Sequence, residues 1–273
     1  MEERILLVDF MYLWNRIYFA IGQNGDGDYY KHMQGIVEKI NNNPNYAKKY
    51  IVLDGLNGTQ RQKELLPEYK EGRIGKEEVY SKINQFIKER TSTCVNVTFL
   101  RANNHEADEV ISTFAKLYSK KGKQVYIYSG DKDLLQLLVF PNVHIGMKYT
   151  GLFELKPFTT EEIQKKMDTI SNGTIDKVGD IVKFRVFRGD ASDRIPAAIP
   201  RFPSKVIKEL IDNVWTGVNP LNRDIIGDME EYLPEKYSTQ ITDYKEDIIR
   251  NWKLMNLQFL PDKTILNDTM KLS

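Results

Sequence analysis

Cysteine and histidine are scarce in this chain: one cysteine, Cys94, and three histidines stand among 273 residues. A lone cysteine excludes an internal disulfide and leaves a buried apolar thiol near a strand as its expected role. Without a His/Cys cluster there is no donor set for a zinc site of the usual kind. Long apolar runs are also lacking. Nothing is long enough to span a bilayer, and residues 5–8 are too few and too soon followed by Asp9 to form a signal peptide. An excess of charge of one sign is missing as well. With 39 basic and 38 acidic residues there is no global basic signature, so any nucleic-acid footprint has to be local. No internal repeat or low-complexity tract is present. These absences place the protein in the cell interior, in the cytoplasm.

What the chain does have is acids at the ends of short hydrophobic runs. Residues 5–8 (Ile-Leu-Leu-Val) run into Asp9, residues 50–53 (Tyr-Ile-Val-Leu) into Asp54, and residues 124–128 (Gln-Val-Tyr-Ile-Tyr) are followed by Asp131 and Asp133. Between the last two runs, Val110, Ile111, Phe114 and Tyr118 recur at helical spacing, which puts Glu106, Asp108 and Glu109 in or just before that helix's first turn. Acids in a first turn complement the helix dipole, and for Glu109 alone that is a sufficient role. For the whole set it is not. Strand and helix patterns alternate through the first half, which predicts an α/β fold with a mostly parallel central sheet flanked by helices. In such a sheet ligands bind outside the carboxyl ends of the strands, where all the acidic turns would lie together. Crowded carboxylates repel one another unless protons or cations neutralise them. Oxygen donors favour Mg²⁺, with Mn²⁺ able to substitute, over zinc.

Along the chain, Trp14, Ile17 and Tyr18 predict a helix after the first strand and put Arg16 near the acidic edge. Either a local ion pair with Asp9 or a phosphate clamp suits it. His32 reads as a surface or packing residue and His144 as a surface-facing one. Residues 61–73 interleave basic residues with Tyr69 and are broken by Pro67 and Gly72. A solvated charged loop is one reading. A mobile segment that grips a single strand through phosphates, with Tyr69 stacking on a base, is the other. Residues 76–90 predict a helix burying Val79, Ile83, Phe86 and Ile87, residues 95–100 a strand, residues 134–138 a helix and residues 143–147 a strand. Thr159 and Thr160 before Glu161-Glu162 predict a helix N-cap, and the domain boundary is expected there, between residues 155 and 156.

The second half reads as mostly helical. Asp190 and Asp193, in the run Arg188-Gly189-Asp190-Ala191-Ser192-Asp193-Arg194, fit an Asx turn or a second metal shell equally well. Ser204 is the expected N-cap of a helix burying Val206, Ile207, Leu210 and Ile211, with Arg201, Lys205 and Lys208 exposed beside its start.

With Asp9, Arg16, Asp54, residues 66–73, Glu106-Ala107-Asp108-Glu109, residues 129–136 and residues 189–196 in this order, the sequence resembles the 5′ nuclease superfamily. That group comprises the flap endonucleases and 5′-to-3′ exonucleases of phages and bacteria, including the phage enzyme that removes RNA primers. The resemblance covers residues 5 to about 215. It implies a nuclease core of the PIN-like kind over residues 1–155, with a basic arch at about 57–78, and a smaller helix-turn-helix-like DNA-binding domain over 156–273. It further implies a two-metal site of Asp9, Asp54, Glu106, Asp108, Asp131 and Asp133, joined by Asp190 and Asp193, with Arg16, Lys70 and Arg73 handling phosphate and Arg61 and Tyr69 contacting DNA. The implied substrate is DNA with a 5′ end or flap, or an RNA primer paired to DNA. A single-stranded DNA-binding protein or a sliding clamp is the implied recruiting partner. No polymerase sequence follows within the 273 residues, which resembles a stand-alone, phage-type member.

Two departures stand out. Glu109 replaces the family's usual second aspartate and remains a metal-shell candidate with a longer reach. After Pro196, where the family usually has a glycine hairpin, this chain has Ala-Ala-Ile-Pro-Arg-Phe-Pro. Duplex binding by Arg201, Lys205, Lys208 and the helix start at Ser204, without a monovalent-ion site, is the expectation there. Two rivals are an aspartyl-nucleophile phosphatase, disfavoured because Asp9 is followed by no second acid, and a DNA-binding module that has lost catalysis, disfavoured by the near-complete acid set.

Overall fold

Residues Ile5, Leu6, Leu7 and Val8 are all fully buried, so both faces of their strand are covered, as in the middle of a parallel sheet. The computed structural model describes residues 3–21, 29–72, 77–150, 154–217 and 221–272. In chain order the elements are β1 (Arg4–Asp9), α1 (Phe10–Ile21), α2 (Tyr29–Asn41), β2 (Lys48–Leu53), α3 (Gln60–Leu65), α4 (Glu77–Thr93), β3 (Thr98–Ala102), α5 (Ala107–Lys120), β4 (Gln124–Tyr128) and β5 (Val143–Gly146). A short hairpin, β6 (Lys148–Tyr149) and β7 (Leu155–Lys156), follows. Then come α6 (Thr160–Ser171), α7 (Ile181–Arg188), α8 (Ser204–Asn213), α9 (Arg223–Tyr232), α10 (Glu235–Asp243), α11 (Lys245–Met255), α12 (Asp262–Asp268) and β8 (Thr269–Leu272).

The chain forms two compact units. The first comprises Met1–Gln60, Gly72–Phe158 and Leu260–Ser273, and the second Arg61–Glu71 and Thr159–Phe259. This differs from the expected division in two places. Arg61–Glu71, expected within the nuclease core, groups with the helical unit, and the last residues, expected in the helical domain, belong to the sheet unit.

In the first unit the sheet order is β5-β4-β1-β2-β3-β8, parallel except for β8, which runs antiparallel to β3. The α/β class expected from the alternating patterns is the fold observed. Leu6, Val8, Ile51, Leu53 and Phe99 on one face pack with Phe10, Trp14, Met33, Val37 and Phe86 of α1, α2 and α4. Trp14 and Phe86 meet edge to face with centroids 5.6 Å apart. Ile5, Leu7, Val52 and Leu100 alternate with the first set and are as deeply buried. The helix α5 packs across β1 to β4. The third strand begins at Thr98 rather than 95. Val95 is 86% exposed, and the Asn96 amide donates to the Asn41 side chain, which holds this stretch as a loop. Cys94 is half-buried rather than buried, and His144 stacks on Tyr126 with centroids 4.9 Å apart. The helix expected at 134–138 is a 3₁₀ turn, Asp133–Val139.

In the second unit α7 is buried on nearly all sides, including Lys183 and Arg185, and α11 packs along it. The Asn251 side chain of α11 donates to the Val186 and Pro196 carbonyls at 3.0 and 2.9 Å. Thr159 caps α6, its side chain accepting from the Glu162 amide, as expected from the sequence.

Candidate active site

The sheet order reverses between β1 and β4: the chain first builds outward through β2 and β3, then crosses to β4 and β5. The crevice at such a reversal, outside the strands' carboxyl ends, is where ligands bind in open α/β sheets. Asp9 is the last residue of β1, and Ser129 directly follows β4. The Ser129 hydroxyl donates to Asp9 Oδ2 at 2.9 Å and accepts from the Asp131 amide at 3.1 Å. Asp131 Oδ1 in turn accepts from the Asp133 amide at 2.8 Å, starting the 3₁₀ turn. Asp9 Oδ1 accepts from the Tyr12 amide in the first turn of α1 at 3.0 Å. Asp9 is only 6% exposed, and burial, reinforced by the nearby charges of Asp54 and Asp131, pushes its carboxyl up to about 7. The hydrogen bonds from Tyr12 and Ser129 act the other way without cancelling this effect.

Asp54 follows β2 and is exposed. Its Oδ1 accepts from the Ala107 amide at 2.8 Å, which ties it to the start of α5. Glu106 is the N-cap of α5 and Asp108 lies in its first turn, both partly exposed. Glu109 is different. It is buried, its Oε2 accepts from the Glu106 amide at 3.2 Å, and the same oxygen lies 3.3 Å from His105 Nδ1. Its extra methylene reaches back one turn, giving it a helix-capping role. The loop after Asp54 is held flat against the loop before α5: Gly55 N donates to His105 O at 3.0 Å and Asn57 N to Asn103 O at 2.8 Å. A Cβ on Gly55 would lie 2.1 Å from the Ala102 carbonyl oxygen, so only glycine permits this approach.

Arg16 is exposed, and its described partners are neutral. Its Nη1 donates to the Tyr128 hydroxyl at 2.9 Å and to the Met147 carbonyl. Tyr128 in turn stacks on Tyr149 and meets Tyr12 edge to face, so the hydroxyl that holds the guanidinium is itself fixed by aromatic packing.

Apart from Arg73, the remaining expected residues belong to the second unit. Arg61 donates to the Lys253 carbonyl at 3.2 Å. Tyr69 is only 3% exposed and points its hydroxyl at Asp193 Oδ2, 3.5 Å away, so the expected open platform for base stacking is not what the structure holds. Lys70 adopts a left-handed backbone (φ 51°), lies over the Tyr69 ring at 5.0 Å and has its ammonium 4.0 Å from Asp193. Arg73 lies outside the described residues. Asp190 is buried, paired with Arg185, and accepts from the Ser192 amide and hydroxyl at 2.8 and 2.6 Å. The Asx turn anticipated as one of two readings is therefore formed, and the carboxylate's charge is matched inside its own unit. Gly189, at φ 72°, allows this turn, because a Cβ there would meet the Ile195 carbonyl at 2.3 Å.

Ser204 is the first residue of α8 and Pro203 the N-cap, one position earlier than expected. The Ser204 hydroxyl accepts from Arg188 instead of capping. Arg201 and Lys205 are exposed, Arg201 in a left-handed turn (φ 58°), while Lys208 pairs with Asp212 at 2.8 Å. The stretch replacing the glycine hairpin buries Ala198, Ile199 and Phe202. Phe202 stacks on Phe187 of α7 and meets Tyr237 of α10.

Sequence reasoning missed Ser129, the hydroxyl that joins Asp9 to the Asp131 turn, and Arg185, the counter-ion of Asp190. Ser129 had a signal, standing directly between a strand and Gly130-Asp131. Arg185 meets Asp190 across the turn that ends α7, five residues on, and no helical spacing pairs the two.

Residues 4–168 match the family described as the 5′-3′ exonuclease, N-terminal resolvase-like domain. Among curated proteins, a 5′-3′ exonuclease of Mycoplasmopsis pulmonis is 34% identical over 217 residues, 78% of this chain and 67% of that protein. A flap endonuclease Xni of Shewanella amazonensis is 28% identical over 77% of each chain. DNA polymerase I of Bacillus caldotenax is 25% identical over 93% of this chain, which spans 28% of that protein's length. In fold, the chain is similar to T5 5′-exonuclease in a structure with zinc ions bound, with a TM-score of 0.65 at 19% identity over 97% of this chain and 92% of that one. With more than half of its length matched by the family and the acids of the first unit gathered at the carboxyl edge of the sheet, the chain belongs to the 5′-3′ exonuclease family and is a 5′ nuclease.

Proposed function

We propose that the chain hydrolyses phosphodiester bonds at 5′ ends or 5′ flaps of DNA, and of RNA primers paired to DNA, by a two-metal mechanism with Mg²⁺ as the working ion. The observation that carries this reading is the state of Asp9, a buried carboxylate pushed up to about 7 beside Asp54 and Asp131. Such a group is costly as an anion, and a bound cation offsets that cost. The donor set fits a hard divalent ion, because every candidate ligand is a carboxylate oxygen. Asp9, Asp54, Glu106, Asp108, Asp131 and Asp133 are the residues proposed to hold the metals. Bound there, the ions supply an activated water and a Lewis acid for the leaving 3′ oxygen.

The protein's own contribution is positioning. Ser129 and the Tyr12 amide fix the two oxygens of Asp9, and the Ala107 amide fixes Asp54. Arg16, held by Tyr128, offers a planar cation to a phosphate at the same edge. Lys70 and Arg73 are proposed to handle phosphate, and Arg61, Arg201, Lys205 and Lys208 to hold DNA through the helical unit. That its relatives include a 5′-3′ exonuclease and a flap endonuclease supports the substrate class. Incubation with labelled flap DNA, with Mg²⁺ and with EDTA, tests the reading. Cutting only with the metal, lost in Asp131→Asn while DNA binding persists, is the expected result. Metal-independent cutting overturns the mechanism, and binding without cutting under any metal overturns the activity.

A further inference from the structure

At the head of α5 a buried histidine stands between two carboxylates, one four residues further along the helix and one near the C-terminal end of the sequence. His105 Nδ1 lies 3.3 Å from Glu109 Oε2, and its Nε2 lies 3.9 Å from Asp268 Oδ2. Asp268 is the last residue of α12 and leads directly into β8, which pairs with β3. Its carboxylate also takes two hydrogen bonds from Asn104, one from the backbone amide at 2.7 Å and one from the side-chain amide at 3.1 Å. Glu109 accepts from the Glu106 amide, and the His105 carbonyl accepts from the Gly55 amide. Residues 104–109 are therefore gripped from three sides. The gripped segment carries Glu106 and Asp108 and presents the Ala107 amide to Asp54.

We infer that Asp268, His105 and Glu109 form a brace that positions the Glu106–Asp108 turn, so that the C-terminal segment sets the geometry of carboxylates far from it in sequence. This rests on the metal-site reading above. Burying a histidine and a glutamate is unfavourable unless they are paired, and a purely structural anchor between α12 and α5 exists without them. Lys116 of α5 pairs with Asp262 of α12 at 3.1 Å, and Ile265 buries its side chain there. What the brace adds is direction. It fixes the φ/ψ of an extended N-cap residue whose side chain is a proposed ligand, the role that outer partners play around ligating groups.

The test uses the full chain and Mn²⁺ as probe, with uptake followed by electron paramagnetic resonance and stability by thermal melting in EDTA. His105→Ala and Asp268→Ala are expected to weaken Mn²⁺ binding about 10-fold each, with no cutting assay required. Because both act on one turn, the double variant should lose about as much as the larger single, not the product of the two. Asp268→Asn, which keeps an acceptor for the Asn104 amide, should recover most of the loss. Ile265→Val is the control: it loosens the same helix and should lower the melting temperature without moving Mn²⁺ affinity. Unchanged affinity in both alanine variants overturns the brace, as does an equal loss in Ile265→Val. Wild-type protein that takes up no Mn²⁺ overturns the metal site and the brace together. Uptake lost in Asp9→Asn but untouched in His105→Ala overturns the brace alone.

Discussion

Asp9 shows at residue scale what the proposed metal site costs the protein in the absence of a cation. A carboxyl whose folded pKa, about 7, lies above its unfolded value near 3.9 binds more protons folded than unfolded. Stability is therefore lost as pH rises through that interval. In EDTA, Asp9→Asn is expected to be more stable than wild type at pH 8 by about 2–4 kcal/mol, with the two converging near pH 4. Urea melts across this range measure it, and a gap independent of pH would show that the site's repulsion is not its origin. The same variant, like Asp131→Asn, is expected to abolish cleavage while leaving DNA binding intact, because it removes a ligand and eases repulsion of phosphate. Normal turnover of either variant at saturating Mg²⁺ would remove these residues from the metal set. Gly55→Ala presses a methyl group against the Ala102 carbonyl, and overpacking of this kind costs about 1–3 kcal/mol. Since the backbone beside Asp54 must move, a raised Mg²⁺ requirement should accompany the lower melting temperature. A variant less stable but unchanged in Mg²⁺ dependence would separate the loop from the site.

At the scale of elements, the parallel strands were legible because their residues are apolar on both faces, and the α1 and α5 helices because their apolar positions recur at helical spacing. The last strand was not legible. Thr269–Leu272 is a four-residue edge strand with two exposed side chains, and its place is fixed by hydrogen bonds to β3, which no local pattern encodes. In the helical unit, the start of α8 tests how duplex DNA is held. Replacing Arg201, Lys205 and Lys208 together with alanine should weaken duplex binding and reduce its dependence on salt. Each free phosphate contact is worth roughly 0.9 in the slope. Lys208 is already neutralised by Asp212, with Asp176 3.9 Å away, so the expected reduction is about 2 contacts and not 3. Binding measured from low to moderate salt gives the slope, and an unchanged one would assign the duplex to another surface.

For the molecule as a whole, a site built from repelling carboxylates makes the divalent ion a folding ligand. A ligand present at 100 times its Kd stabilises the folded state by about 2.7 kcal/mol. Mg²⁺ should therefore raise the melting temperature of wild type and leave Asp9→Asn much less affected, as differential scanning calorimetry would show. An equal rise in both would mean that the ion acts elsewhere. The sequence by itself determined the alternation of strands and helices through the first half, the acids that end the strands and the all-oxygen character of the donors, because apolar periodicity and residue chemistry are local properties. Only tertiary structure decided that Glu109 turns back to cap α5 while Glu106 and Asp108 remain partly open, and that Asp190 is matched by Arg185. It alone buried Tyr69 against Asp193 and brought Asp268 to His105 across 163 residues of sequence. Those outcomes depend on which charges and donors the folded chain brings within about 4 Å, and sequence spacing does not carry that information.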